Sequence, residues 1–335
     1  MKFTTDVKKQ HTVPRFLLHN FGFGKNKKKR LFTYDKANNR IFQQSVFDAT
    51  TRNSFYNLEK HPENISLEPI LSKIEENVAP VIQKIIQENS IKNLSDEDKH
   101  HIAVFTVIQN GRSLNSLKLM EDIVFKLAEK VKNSGGNPID IQQLDGYDDV
   151  AQQKDNFIKG ILQYIEFAPS LLNKTWILYE TNEENPFYIS DNPVTKHNDN
   201  HSLLYGKLGL ESQGIQIYLP LSSTLTLSFI CPSIFEEMLK EKSKFLMMNP
   251  LKLYKNINFK EDNNLKILFR FLHDYEYKNT HYLQTENVIF LNSLQVAYAV
   301  QYIFSKKNDF SLAKDMLSNP INENLRTEGM RMTIL

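Results

Sequence analysis

Eight residues carry the chemistry this sequence offers: His11, Arg15, Gln109, Arg112, Asp191, Asn192, Asn292 and Gln295. An imidazole, a carboxylate, two guanidiniums and four side-chain amides suit a substrate that bears phosphate. Arg112 has the planar fork that clamps a phosphate through two N–H donors. His11 can move a proton near neutral pH. Asp191 can orient that imidazole or hold a divalent ion, Mg²⁺ or Mn²⁺, through oxygen. His11, Arg112 and Asp191 are therefore the candidate catalytic groups. Arg15, Gln109, Asn192, Asn292 and Gln295 are the candidate substrate contacts. Each has a plainer alternative. His11 can cap its own turn, Asp191 and Asn192 can bond their own backbone, and a buried amide is commonly satisfied by loop carbonyls.

Why these residues stand out depends on the elements that carry them. Pro14 suits the first helical position, and Phe16, Leu17, Leu18 and Phe21 then form a short buried turn closed by Gly22. RLFTYD and RIFQQSV, joined by KANN, predict a β-hairpin. Apolar residues at three- and four-residue spacing predict a helix from Ser66 to Gln87, kinked at Pro80. A second helix starts at the Ser95 cap, with Asp96, Glu97 and Asp98 in its first turn, and is expected to break near Gly111 on its way to Val131. On it Ile102 and Phe105 begin an apolar stripe that continues, by steps of four and three, into Gln109 and Arg112. Helix resumes over 150–172. WILYE, PFYIS, IQIYLPL and LTLSFI then predict a small mixed or antiparallel sheet, PFYIS delivering Asp191 and Asn192 into a turn closed by Pro193. Ser233 to Leu239 reads as a helix. A last helix is expected over 285–305, capped by Thr285, apolar on nearly every side yet bearing Asn292 and Gln295 one turn apart. A buried neutral polar group costs about 2–7 kcal/mol unless it finds partners, so two helices with the same polar pair predict a shared polar pocket.

The totals narrow the class. The chain has 335 residues, 41% hydrophobic and 24% charged, with a net charge of +2, so no global field draws it to nucleic acid or anionic lipid. One cysteine, Cys231, excludes internal disulfides and suits a reducing cytoplasm. No run approaches the roughly twenty apolar residues of a membrane span, and no signal peptide is evident, so no membrane partner is expected. The expected architecture is one α+β domain over 1–318, helices packed against the sheet with an N-terminal β-hairpin, a weakly ordered tail over 319–335, and a subdomain split near 173 as the alternative. KNKKKR (25–30) reads as an exposed hairpin edge able to touch phosphates. HNDNH (197–201) has two histidines four apart, but its Asn-Asp-Asn is turn chemistry, and no metal ligand is assigned. Walker-type glycine loops, a GxSxG elbow and the RxxxxH spacing of one class of ribonucleases are absent.

The ordered motifs resemble a family. His11-x-x-Pro14 with Phe21, Gln109-x-x-Arg112, Ser190-Asp191-Asn192-Pro193, Pro220-Leu221-Ser222 and the helix bearing Asn292 together resemble the bacterial domain-of-unknown-function 4238 family, over about residues 8 to 305. Thr12 stands where that family favours an aromatic. The resemblance implies a stand-alone anti-phage defence protein and implies no particular reaction. Joined to the residue chemistry, it gives two expectations. One is a nuclease or nucleotide-degrading effector acting on nucleic acid or nucleotide. The other is a non-enzymatic sensor of a phage component or nucleotide. Both expect His11, Arg112, Asp191 and Asn292 to converge on one pocket.

Overall fold

A computed structural model describes residues 3–25, 28–63, 65–144, 146–199, 208–248 and 263–319. The expected tail lies, from residue 320 on, outside the described residues, as do Asn26 and Lys27 of the lysine segment and His201 of HNDNH. The chain opens with β1 (Lys9–His11) and α1 (Arg15–Leu18), followed by a 3₁₀ turn to Phe21. The predicted hairpin is β2 (Arg30–Asp35) and β3 (Arg40–Ser45), in register from Arg30↔Ser45 to Asp35↔Arg40. β4 (Thr51–Asn53) returns antiparallel to β1. Four helices follow: α2 (Glu68–Glu88), α3 (Asp96–Gly111), α4 (Leu114–Asn133) and α5 (Val150–Ile161). A 3₁₀ stretch (Leu162–Phe167) then leads into α6 (Ala168–Leu172).

The strands beyond 173 divide between two sheets. β5 (Thr175–Glu180), β7 (Thr195–His197), β8 (Gln216–Pro220), β9 (Leu225–Ile230) and β10 (His281–Tyr282) form a sheet in the order β10-β5-β9-β8-β7, antiparallel except for the β10–β5 pair. β6 (Ile189–Ser190) joins the N-terminal hairpin through β11 (Tyr302–Ser305), in the order β3-β2-β11-β6. Helices α7 (Pro232–Met248), α8 (Asn263–Glu276), α9 (Thr285–Tyr298) and α10 (Ser311–Ser318) complete the element order. The fold is α+β. Its largest apolar core draws on Val13, Leu17 and Phe21, on Val78, Ile82 and Phe105, and on Leu219, Leu227 and Phe304, so both sides of residue 173 contribute.

A local rule explains the start of α3. Ser95 Oγ accepts from Asp98 N while Asp98 returns a bond to Ser95 N, a reciprocal capping box. α3 ends where Gly111 meets the Tyr164 ring. A Cβ at Gly111 would lie 2.5 Å from a ring carbon, so the close approach needs glycine. The C-terminal helix departs from expectation. It starts after Gln284 rather than being capped by Thr285, stops at Tyr298, and residues 302–305 are a strand. No glycine or proline ends it. The buried Lys36 ammonium donates to the carbonyls of Val296 (2.9 Å) and Ala299 (2.6 Å), placing a cation on the helix C-terminus. Asp191 collects the next three N–H groups. Both partners lie more than a hundred residues away in sequence.

Candidate functional site

The eight residues fall into two groups, and no hydrogen bond or ion pair among the described residues joins them. The first lies where the N-terminal segment crosses α2 and α3. β1 alternates, so Gln10 turns inward and is fully buried, donating to Asn57 Oδ1 (2.8 Å) and accepting from Tyr56 N (2.6 Å). His11, next in the strand, is half-buried, and its Nε2 lies 3.0 Å from Phe47 O. A carbonyl only accepts, so Nε2 carries the hydrogen and Nδ1 is left as the basic nitrogen. Arg15, exposed, sets its guanidinium 5.0 Å from the centroid of the Phe47 ring.

From α3 the stripe holds as predicted, with Ile102, Phe105, Gln109 and Arg112 all buried. Gln109 Nε2 donates to Thr12 O (2.9 Å), tying the helix to the N-terminal segment, and Arg112 Nε donates to Gln109 Oε1 (2.9 Å). Arg112 Nη1 pairs with Glu75 Oε1 at 2.8 Å. Its Nη2 is buried with no protein partner. Such an orphan is costly for a charged donor.

Sequence reasoning passed over Glu68 and Glu75. They lie seven residues apart on α2, on the stripe that ends in the fully buried Ile82. Acidic residues on a core stripe carry the same signal that singled out Gln109 and Arg112. Burial and the neighbouring Glu75 push the Glu68 carboxyl up to about 7, against the pull of Arg112 and Arg15. His11 moves the other way. Burial lowers its pKa, the Phe47 carbonyl opposes that, and Arg15 and Arg112 lower it further. The Glu68 carboxyl is thus held toward its protonated form and the His11 imidazole toward its neutral form around the same two guanidiniums.

Asp191, Asn192, Asn292 and Gln295 form the second group, between the β6–β7 turn and α9. Asp191 Oδ1 accepts from Val300 N (2.8 Å), and Oδ2 accepts from Gln301 N (2.8 Å) and Tyr302 N (3.0 Å). Burial pushes this carboxyl up, while the three N–H donors and the Lys36 ammonium pull it down. Asn292 accepts from Tyr188 N (2.7 Å) and donates to Pro186 O (3.0 Å). Gln295 donates to Pro193 O (2.8 Å), and its Oε1 accepts from Ser190 Oγ (2.8 Å). Asn192 donates to Tyr298 O (3.2 Å). Apart from the Ser190–Gln295 side-chain pair, these bonds run from side chain to nearby backbone, and together they fasten α9 to the turn. Asp191 has both oxygens engaged by N–H dipoles, which occupy the lone pairs a divalent cation would use. Among the described residues no three His, Cys, Asp or Glu side chains gather into a metal-binding group. His197 Nε2 lies 2.9 Å from Asp199 Oδ1, a contact within the turn.

The family model described as a protein of unknown function, DUF4238, matches residues 9–309, which includes both groups. The chain belongs to the DUF4238 family. No curated protein and no solved structure matches it. The DUF4238 match begins two residues before His11 and ends beyond α9, so it spans every motif on which the resemblance rested. Among the described residues of this DUF4238 chain, no helix is long and apolar enough to cross a membrane.

Proposed function

We propose that this chain is an anti-phage effector that hydrolyses phosphoester bonds of nucleic acid or nucleotides in the cytoplasm, at the His11–Arg15–Glu68–Arg112 cluster. The observation that carries the reading is the buried Arg112 guanidinium, held by Gln109 and Glu75 yet with Nη2 unpaired. A phosphate oxygen supplies the missing acceptor, and Arg15 supplies a second positive charge at the exposed side. Neutral His11, with Nδ1 basic, accepts the proton of the attacking hydroxyl or water. Glu68, close to half-protonated at neutral pH, gives a proton to the leaving oxygen. One proton is taken and one returned, so the cycle balances with water as the only co-reactant. The defence role rests on the family resemblance, and the chemistry rests on the cluster.

The experiment is a turnover assay. Purified full-length protein is incubated with RNA, single- and double-stranded DNA and nucleoside triphosphates, with and without Mg²⁺ or Mn²⁺. Wild type should cleave at least one substrate class. His11→Ala and Glu68→Gln should each slow cleavage by about 10²-fold or more, and Arg112→Lys, which keeps charge but loses the fork, should raise KM. A wild-type protein that protects cells from phage yet turns over none of these substrates would replace this reading with that of a non-enzymatic sensor.

A further inference from the structure

A cavity with a mixed polar and apolar wall lies around the C-terminal end of α3 and takes no part in the chemistry above. Its volume is about 340 Å³, and its wall includes Asn110 of α3, Asn115 and Ser116 in the first turn of α4, Tyr164, Lys196 of β7 and Tyr298 of α9. Lys196 is the unusual member. Its backbone carbonyl accepts from Tyr298 Oη at 2.9 Å, and its position in the strand is fixed by pairing with Ile217. Among the described residues its ammonium makes no hydrogen bond or ion pair. Glu211 also lines the cavity but forms no ion pair with Lys196 among the described residues, and burial draws the Lys196 pKa down to about 8. The side-chain amides of Asn110 and Asn115 likewise bond to no group among the described residues. A structural lysine would have a carboxylate or carbonyl partner, as Lys36 does.

We propose that this cavity binds a mononucleotide, its phosphate on Lys196 and its base between the aromatic wall and the free amides of Asn110 and Asn115. Three unpartnered polar groups around one cavity match the composition of such a ligand. The ammonium faces the anion, two amides each present a donor and an acceptor to a base edge, and the Tyr164 ring offers a stacking face. Its size falls within the ordinary range for small-ligand sites, roughly 300–1,000 Å³. The site is independent of the His11 cluster, since Gln109 and Arg112 face one side of the last α3 turn and Asn110 another.

The test is binding to the full chain by calorimetry, with AMP, GMP, CMP, UMP and inorganic phosphate as separate probes. At least one nucleotide should bind, and more tightly than inorganic phosphate. Near pH 8 binding should take up on the order of half a proton, because an anion restores the charge on Lys196. Lys196→Met should weaken that nucleotide tenfold or more while leaving the melting temperature unchanged or higher, since no partner is lost. Asn110→Ala should erase the preference for nucleotide over inorganic phosphate. His11→Ala should leave binding intact, so failure of the hydrolase reading and failure of this one are separable. Binding of none of the probes, or equal binding by Lys196→Met, overturns the proposal.

Discussion

Asp191→Asn is the sharpest test of how the two polar groups differ. In the wild type both carboxylate oxygens face backbone N–H groups, one from Val300 and two from Gln301 and Tyr302. An asparagine turned to keep its oxygen on the latter pair must aim its NH₂ at Val300 N–H. One charge-assisted bond is lost and a buried donor is left unpaired, at about 1–3 kcal/mol. The two surviving bonds fall from charge-assisted to neutral strength, roughly half their former worth. The sum is about 3–5 kcal/mol. At about 2 °C per kcal/mol, the low end suited to a long chain, melting should drop by about 6–10 °C. Calorimetry reads the drop, and hydrogen exchange should show the Val300 amide losing protection first. The sequence alone suggests the opposite, a catalytic carboxylate whose isosteric replacement folds normally. A variant that melts with wild type but has lost cleavage would refute the capping argument and return Asp191 to the chemistry.

Glu68→Gln should change the pH dependence of stability. The folded state holds the Glu68 proton up to about pH 7, whereas an unfolded glutamate releases it near 4.3. The wild type should therefore lose stability as pH rises through that window, and the variant should gain about 1–3 kcal/mol over it by pH 8. Urea midpoints at pH 5 and pH 8 check this, and a pH-independent gap would show that Glu68 is not perturbed. Lys25, Lys28 and Arg30 are exposed ahead of and at the start of β2. If nucleic acid is the substrate, changing all three to Gln should weaken its binding and flatten log K against log salt by about 2–3. An unchanged slope removes this segment from the path of the substrate.

What was legible in the sequence follows the range of the interactions. The β2–β3 hairpin and the Ser95 capping box are written within a few residues of where they act, and the break at Gly111 is marked locally by its glycine although the Tyr164 ring packs there from a distant position. The end of α9 is not, because Lys36 and Asp191 impose it from distant positions. The assignment of PFYIS to one sheet with its successors failed for a similar reason. β6 pairs with β11, and that choice depends on where the helix between them stops. Gln109 and Arg112 were visible as polar residues on an apolar stripe. Glu68 and Glu75 bear the same mark, but acidic residues near a helix start also read as ordinary dipole partners, so their place on the Ile82 stripe went unread.

Polar residues on a buried face therefore raise two physical cases, separated by whether the network closes. Around Asp191, Asn292 and Gln295 it closes. Donors meet acceptors, most of them backbone groups of one turn and one helix end, and the gain is a fixed junction between α9 and the sheet strands. Around Arg112 it stays open. Gln109 and Glu75 satisfy part of the guanidinium, Nη2 has no partner, and burial holds Glu68 toward its protonated form and His11 toward its neutral form. An open network costs stability in the free protein, and the proposed function assigns its closure to a substrate phosphate. Glu75 supports the same conclusion from the other side. It holds Nη1 while leaving Nη2 unpaired, so on the proposed function the guanidinium, charged with or without Glu75, is oriented in advance. Replacing Glu75 with Gln would weaken that hold without touching the substrate. The loss should then appear in transition-state stabilisation, with Arg112 disordered rather than absent.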